Sequence, residues 1–123
     1  MEKAFLNDHS FINYNKLSEL TLINFNLQTF KNSWFKQNNV IKKIKFDGNR
    51  IKSLDKKNFL YLKELTEINL NNNYIEEIGN FTFNHIKLLK RLHMNGNIIS
   101  NLYLRSESIN FLYLNDNLFT EVS

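Results

Sequence analysis

One pattern of apolar residues recurs along this chain at a fixed distance and constrains its fold more than any other feature. Four segments follow the order apolar-x-x-apolar-x-apolar-x-x-Asn-x-apolar-x-x-apolar, with one substitution at the Asn position, and a fifth, incomplete copy closes the chain. The copies start at residues 17, 41, 65, 89 and 109, so their spacings are 24, 24, 24 and 20 residues. Such a period predicts a solenoid, in which each unit buries its apolar face against its neighbours.

A series of phenylalanines has the same period. They lie 24 residues apart, each six residues before the next copy, at Phe11, Phe35, Phe59 and Phe83. Within a copy, apolar residues two apart, such as Ile68 and Leu70, share one face of a strand and point inward. We therefore predict one short strand per copy, with the phenylalanines filling the outer half of the core.

The 123 residues fit a single domain. We predict a partial repeat at 1–16, repeats at 17–40, 41–64, 65–88 and 89–108, and a partial repeat at 109–123. Since both ends fall in mid-repeat, we expect a fragment of a longer solenoid that self-associates through uncapped ends. The fourth copy is four residues short and has no phenylalanine, so we expect a thinner outer wall between Tyr103 and Ser108.

Asparagine is the most informative polar residue, with 22 copies in a chain that has 3 glycines and no proline. It tolerates a left-handed backbone and bonds nearby main-chain groups, which suits turns. The ninth position of four copies is Asn49, Asn73, Asn97 and Asn117. We predict that these four amides form a buried structural ladder between coils. Phe25 replaces the asparagine in the first copy.

These patterns resemble the leucine-rich repeat family across essentially the whole chain. The 24-residue unit, with Phe at position 19 and Leu62 or Ile86 at position 22, is similar to the typical class of extracellular animal proteins. Toll-like receptors and secreted arthropod immune proteins belong to that class. In the first copy, Asn38 departs from the apolar position 22. The resemblance implies an α/β-type solenoid: a right-handed coil with one parallel β-sheet on the concave face and irregular, 3-10 or short helical convex segments.

Three columns of side chains should face the concave side, because they alternate with the inward positions of each strand. Column three is Glu19, Lys43, Glu67, Arg91 and Phe111. Column five is Thr21, Lys45, Asn69, His93 and Tyr113, and column seven is Ile23, Asp47, Asn71, Asn95 and Asn115. We expect the alternating charges of column three to pair with one another across the sheet rather than to form a ligand site.

Column five is the better candidate for a ligand surface, because its side chains are varied and are not expected to satisfy one another. Together with the aromatic end of column three, it gives Lys45, Asn69, His93, Phe111 and Tyr113 as candidate ligand-binding residues. Aromatic side chains are favoured as interface anchors. The alternative is that a further repeat covers part of this aromatic end. Trp34 fits packing in the convex wall better than a role as an anchor.

No motif in the sequence indicates catalysis, a metal or a cofactor. There is no nucleophile elbow, no glycine-rich phosphate loop and no cysteine, and His93 has no second ligand beside it in the repeat register. The net charge of +4 is spread along the chain, so we expect no nucleic-acid partner. No apolar run approaches the roughly 18 residues that span a bilayer.

We therefore expect a binding module, not an enzyme, that engages a protein or glycan through its concave face. The resemblance implies an extracellular or cell-surface immune or receptor protein, of which this chain would be part. If the chain is complete, the absence of a signal peptide and of cysteine favours a cytoplasmic scaffold, and a structural spacer without a ligand is a third alternative. Asn80-Phe81-Thr82 is a glycosylation sequon, so Asn80 would carry a glycan on a secreted protein.

Overall fold

The apolar-x-apolar segments form the strands of a coil in the computed structural model, which describes residues 17–36 and 40–120. The strands are β1 Glu19–Thr21, β2 Lys43–Lys45, β3 Ser53–Leu54, β4 Glu67–Asn69, β5 Glu77–Ile78, β6 Arg91–His93 and β7 Phe111–Tyr113. Two 3-10 helices, Asn32–Phe35 and Lys56–Phe59, lie on the return segments of the first two copies.

Five strands form one parallel sheet in the order β1-β2-β4-β6-β7. Each residue lies opposite its equivalent in the next copy, as Glu19 does opposite Lys43 and Arg91 opposite Phe111. The shortened fourth copy therefore keeps the strand register, and its missing residues are taken from the return segment. The predicted parallel-strand solenoid is confirmed.

A second sheet joins two return segments, which the sequence pattern did not predict. β3 and β5 pair in parallel with Leu54 opposite Ile78, and the Gly79 N–H donates to the Leu54 carbonyl at 2.8 Å. Among residues 17–36 and 40–120, this sheet has two strands, which belong to two consecutive copies.

The core consists of the inward strand residues and an aromatic layer behind them. Phe35 and Phe59 are fully buried, and Phe83 is 2% exposed. Phe30 joins this layer, with its ring 5.1 Å from that of Phe46 and 5.4 Å from that of Phe59. Edge-to-face pairs of this kind add to the burial of apolar area. Trp34 packs in the convex wall and is 6% exposed.

Hydrogen bonds between return segments hold the convex side of the first three copies together. Asp55 is the N-cap of the second 3-10 helix and forms a capping box with Asn58. Asn58 Nδ2 also donates to the Phe30 carbonyl at 2.9 Å. Asn32 Nδ2 donates to the Lys57 carbonyl at 3.0 Å, and His85 Nε2 lies 2.8 Å from the Phe59 carbonyl. Because each bond crosses to a neighbouring copy, these three return segments form one continuous wall.

Candidate functional site

The sheet places the candidate ligand-binding residues on one face. Lys45 lies on β2, Asn69 on β4, His93 on β6, and Phe111 and Tyr113 on β7. Inward neighbours such as Leu92 are fully buried, whereas residues of columns three and five keep contact with solvent. The concave face is therefore built from alternating strand residues, and its C-terminal end is aromatic.

The aromatic end is more organised than we expected. The rings of His93 and Tyr113 are stacked, with centroids 4.6 Å apart and 9° between their planes. Arg91 lies over the Phe111 ring, with its guanidinium carbon 4.7 Å from the centroid. The expectation that column-five side chains do not satisfy one another is wrong for His93 and Tyr113. Parallel pairing at a strand spacing of about 4.8 Å brings successive rings into stacking distance.

Glu67 connects columns three and five. Its Oε1 lies 3.7 Å from Lys43 Nζ, and its Oε2 lies 3.1 Å from His93 Nε2. The predicted pairing of charges along column three therefore occurs between Lys43 and Glu67. It does not continue to Arg91, which contacts the Phe111 ring instead. The repeat register places no second metal ligand beside His93, but Glu67 approaches its ring from the diagonal position of the adjacent strand.

Two buried oxygen atoms in the concave face have no hydrogen-bond partner among the residues that the structure describes. They are Asp47 Oδ1 and Asn69 Oδ1. The bond from the Phe46 N–H to the Asn69 carbonyl, 2.8 Å long, runs between their strands. Burial raises the pKa of the Asp47 carboxyl above its usual value of 3.8, and the charge of Lys45 opposes this shift. Unpartnered buried acceptors are costly, so these two oxygens reduce the stability of the folded chain.

The ninth-position asparagines link each coil to the one before it. Asn73 Nδ2 donates to the Leu70 carbonyl of its own copy at 3.2 Å and to the Phe46 carbonyl of the preceding copy at 3.1 Å. Asn73 Oδ1 accepts the Ile51 N–H at 3.1 Å. Equivalent bonds are made by Asn49, Asn97 and Asn117. The ladder begins at Asn49, because the first copy has Phe25, which has no side-chain amide, at this position.

Column seven contains a second asparagine ladder, which the sequence reasoning missed. Asn71 Oδ1 accepts the Asn95 N–H at 2.8 Å, and Asn95 Oδ1 accepts the Asn115 N–H at 2.7 Å. These bonds point to the following copy, opposite in direction to those of the first ladder. The asparagines at position seven of three copies were a usable signal. The side-chain oxygens of Asn71 and Asn95 thus link successive copies beside the sheet.

Position eight of every copy has a left-handed backbone, which was also missed. Its residues are Asn24, Gly48, Asn72, Gly96 and Asp116, with φ between 57° and 70°. A Cβ atom added at either glycine would collide with the side-chain oxygen of the asparagine in the preceding copy. The alternation of asparagine and glycine therefore lets successive turns stack closely. Glycine, asparagine and aspartate at this position were the signal in the sequence.

The sequon lies on the convex side. Asn80 is exposed, Phe81 has a left-handed backbone with φ of 64°, and the buried Thr82 hydroxyl donates to the Gly79 carbonyl. Within residues 17–36 and 40–120, no group of three or more candidate side chains could hold a metal ion. No helix in this part of the chain is long and apolar enough to cross a membrane.

Comparisons with known proteins agree with this architecture. The family model described as "Leucine rich repeat" matches residues 41–99. The crystal structure of the TLR13–ssRNA13 complex is similar with a TM-score of 0.84 and 23% identity, covering 94% of this chain and 17% of that chain. The crystal structure of the Drosophila melanogaster SNF/U2A′ complex is similar with a TM-score of 0.71 and 18% identity. The match covers 93% of this chain and 70% of that chain. No curated protein matches the chain in sequence. Identities this low reflect a shared fold, and the chain spans only a small part of the TLR13 chain.

Proposed function

The chain belongs to the leucine-rich repeat family, and on that premise we propose that it binds another protein through the concave face of its five-stranded sheet. The ordered platform formed by Arg91 on Phe111 and His93 on Tyr113 carries this proposal.

The platform lies on β6 and β7, at the C-terminal end of the sheet. Phe111 is 44% exposed, and its ring is held by the guanidinium above it. Aromatic and arginine side chains that are already ordered lose little conformational entropy on binding, which makes them good interface anchors. We assign the platform to apolar contact with the partner.

Charge on the concave face favours a protein over a nucleic acid. The three columns contain three cationic side chains, Lys43, Lys45 and Arg91, and three anionic ones, Glu19, Asp47 and Glu67. A phosphate backbone is bound by a surplus of positive charge, which these three columns do not have. The TLR13 structure contains ssRNA, and stacked rings also suit bases, so single-stranded RNA is the competing ligand to test.

The experiment compares the affinity of the wild type for its partner with that of a variant whose concave side chains are replaced. A partner captured from extracts of the source organism is purified, and its affinity is measured by isothermal titration calorimetry. Replacing Lys45, Asn69, His93 and Tyr113 together by Ala should weaken binding by more than about 100-fold, since several anchors are lost at once. Circular dichroism should be unchanged, because these side chains are not part of the apolar core.

A convex-side variant provides the matched control. Replacing the exposed Lys52, Lys56 and Lys63 by Ala removes three side chains of the return segments and should leave affinity unchanged. If the partner still binds the concave variant, the proposal is wrong, and a spacer without a ligand site becomes the better description. If a 13-nucleotide ssRNA binds the wild type tightly and the concave variant not at all, the partner class is wrong.

We also propose that the chain works outside the cell and carries a glycan on Asn80. The exposed position of Asn80 supports this proposal. Because the Thr82 hydroxyl of the sequon is buried in the folded chain, the glycan should be attached before this turn folds. Expression in the secretory pathway should give a band that peptide:N-glycosidase F shifts, and Asn80→Gln should remove the shift. A product without glycan would favour the intracellular scaffold.

A further inference from the structure

A cleft on the convex side opens where the repeat length changes. We call residues 79–88 the third return arm and residues 100–108 the fourth return arm. Hydrogen bonds cross between the return segments of the first three copies, including the contact of His85 with the Phe59 carbonyl. Between the third and fourth return arms, no hydrogen bond or ion pair occurs among the described residues. The four missing residues of the fourth copy therefore leave a gap in the convex wall.

The cleft has the size of a small-molecule site. Its volume is about 780 Å³, and the third arm lines it with Asn84 and Lys87, the fourth with Arg105, Ser106, Glu107 and Ser108. Ligand sites commonly have volumes of about 300–1,000 Å³. The lining is mainly polar and contains no aromatic side chain, so it lacks the stacking surface that binds nucleobases.

Two cationic side chains line the cleft. Lys87 and Arg105 belong to opposite arms, and neither lies within 4.0 Å of a carboxylate among the described residues. Glu107 is the opposing charge in the cleft and leaves it with one net positive charge. An anionic group between the arms would contact both cations and replace the cross-arm hydrogen bonds that this copy lacks. Arginine is well suited to this role, because its planar fork bonds two oxygens of a phosphate or sulfate.

The serine pair supplies a directed hydroxyl donor. Ser106 Oγ accepts the N–H groups of Ser108 and Ile109, both at 3.3 Å, and lies 3.1 Å from Ser108 Oγ. With both of its lone pairs engaged, Ser106 Oγ donates its proton to Ser108 Oγ. The Ser108 proton is then available to an acceptor in the cleft.

We propose that this cleft binds a phosphate or sulfate group carried by a saccharide-sized ligand. Lys87 and Arg105 hold the oxyanion from opposite arms, and Ser108 donates a hydrogen bond to it. The volume exceeds that of an inorganic ion, and the amide of Asn84 suits the hydroxyl groups of a sugar. This site is separate from the concave face and does not depend on the function proposed for it.

The test is a titration of the ¹⁵N-labelled chain followed by NMR, with glucose 6-phosphate, glucose 6-sulfate, glucose and inorganic phosphate as probes. Binding of either anionic sugar should move the amide signals of Ser106, Glu107 and Ser108. Lys87→Gln and Arg105→Gln should each weaken binding by about tenfold, since each removes a charge-assisted hydrogen bond. Ser108→Ala should weaken binding several-fold, and Glu107→Gln should tighten it because a repulsive charge is lost.

Lys63→Gln is the matched control, because Lys63 occupies the same repeat position as Lys87 in the preceding copy and is equally exposed. Its affinity should equal that of the wild type. The proposal is overturned if neither anionic sugar moves the three signals, or if Lys63→Gln weakens binding as much as Lys87→Gln. It is also overturned if glucose or inorganic phosphate binds as tightly as the anionic sugars.

Discussion

Asp47 is the residue at which the repeat pattern and the physical environment disagree. Position seven is asparagine in the next three copies, where two side-chain oxygens accept an N–H from the following copy. Asp47 Oδ1 is buried without a partner, and burial raises the pKa of its carboxyl. A raised carboxyl pKa means that the folded state binds the proton more tightly than the unfolded state does. The charged carboxylate is therefore a cost to stability at neutral pH.

Asp47→Asn should stabilise the chain at pH 7 while leaving its stability at low pH unchanged. The cost in free energy of unfolding begins as pH rises through 3.8, the usual pKa of the carboxyl. It grows until the pH reaches the higher pKa of the folded state and is constant above that. Since Asp47 is only partly buried, screening keeps the expected gain to about 0.5 kcal/mol. Urea denaturation at pH 7 and pH 3 measures both differences. Equal stability of the two proteins at pH 7, or a gain only at pH 3, would contradict this reasoning.

At the level of the strands, sequence periodicity was sufficient because the same contacts recur in every copy. The apolar positions around Ile68 and the asparagine at position nine both recur from copy to copy. The structure predicted for one copy therefore applies to the others. The second sheet was missed because Ser53–Leu54 and Glu77–Ile78 share no apolar alternation of their own. Their pairing follows from the stacking of the coils, which brings two extended return segments side by side.

Contacts between columns could not be predicted from the columns alone. The stack of His93 on Tyr113 lies within one column, but the approach of Glu67 to His93 is diagonal and depends on side-chain rotamers. Rotamer choice is set by packing in three dimensions, and spacing in the sequence does not determine it. The shortened fourth copy shows the same limit. Its length predicted a thinner wall, whereas the cleft between Lys87 and Arg105 depends on where the shortened segment lies.

The whole molecule behaves as a one-dimensional stack, in which each coil is stabilised by its neighbours. Equivalent inward residues show this directly. Ile44, Ile68 and Leu92 are fully buried, whereas Leu112 on β7 is 39% exposed. Leu118 and Phe119 beyond it are also exposed, and no strand in the described part of the chain pairs with the outer edge of β7. An open strand edge beside apolar side chains is a site for association with another chain.

Leu112→Lys should therefore suppress self-association of this 123-residue chain without unfolding it. The wild type should form larger species in sedimentation velocity experiments as its concentration rises, because two apolar edges can then cover each other. A lysine at a half-buried edge position can extend its ammonium group into water, so the expected loss of stability is about 1 kcal/mol.

Leu92→Lys is the matched comparison, since it places the same charge at a fully buried position of the neighbouring strand and should unfold the chain. Self-association that persists in Leu112→Lys would place the interface away from the β7 edge. A wild type that stays monomeric at all concentrations would contradict the prediction.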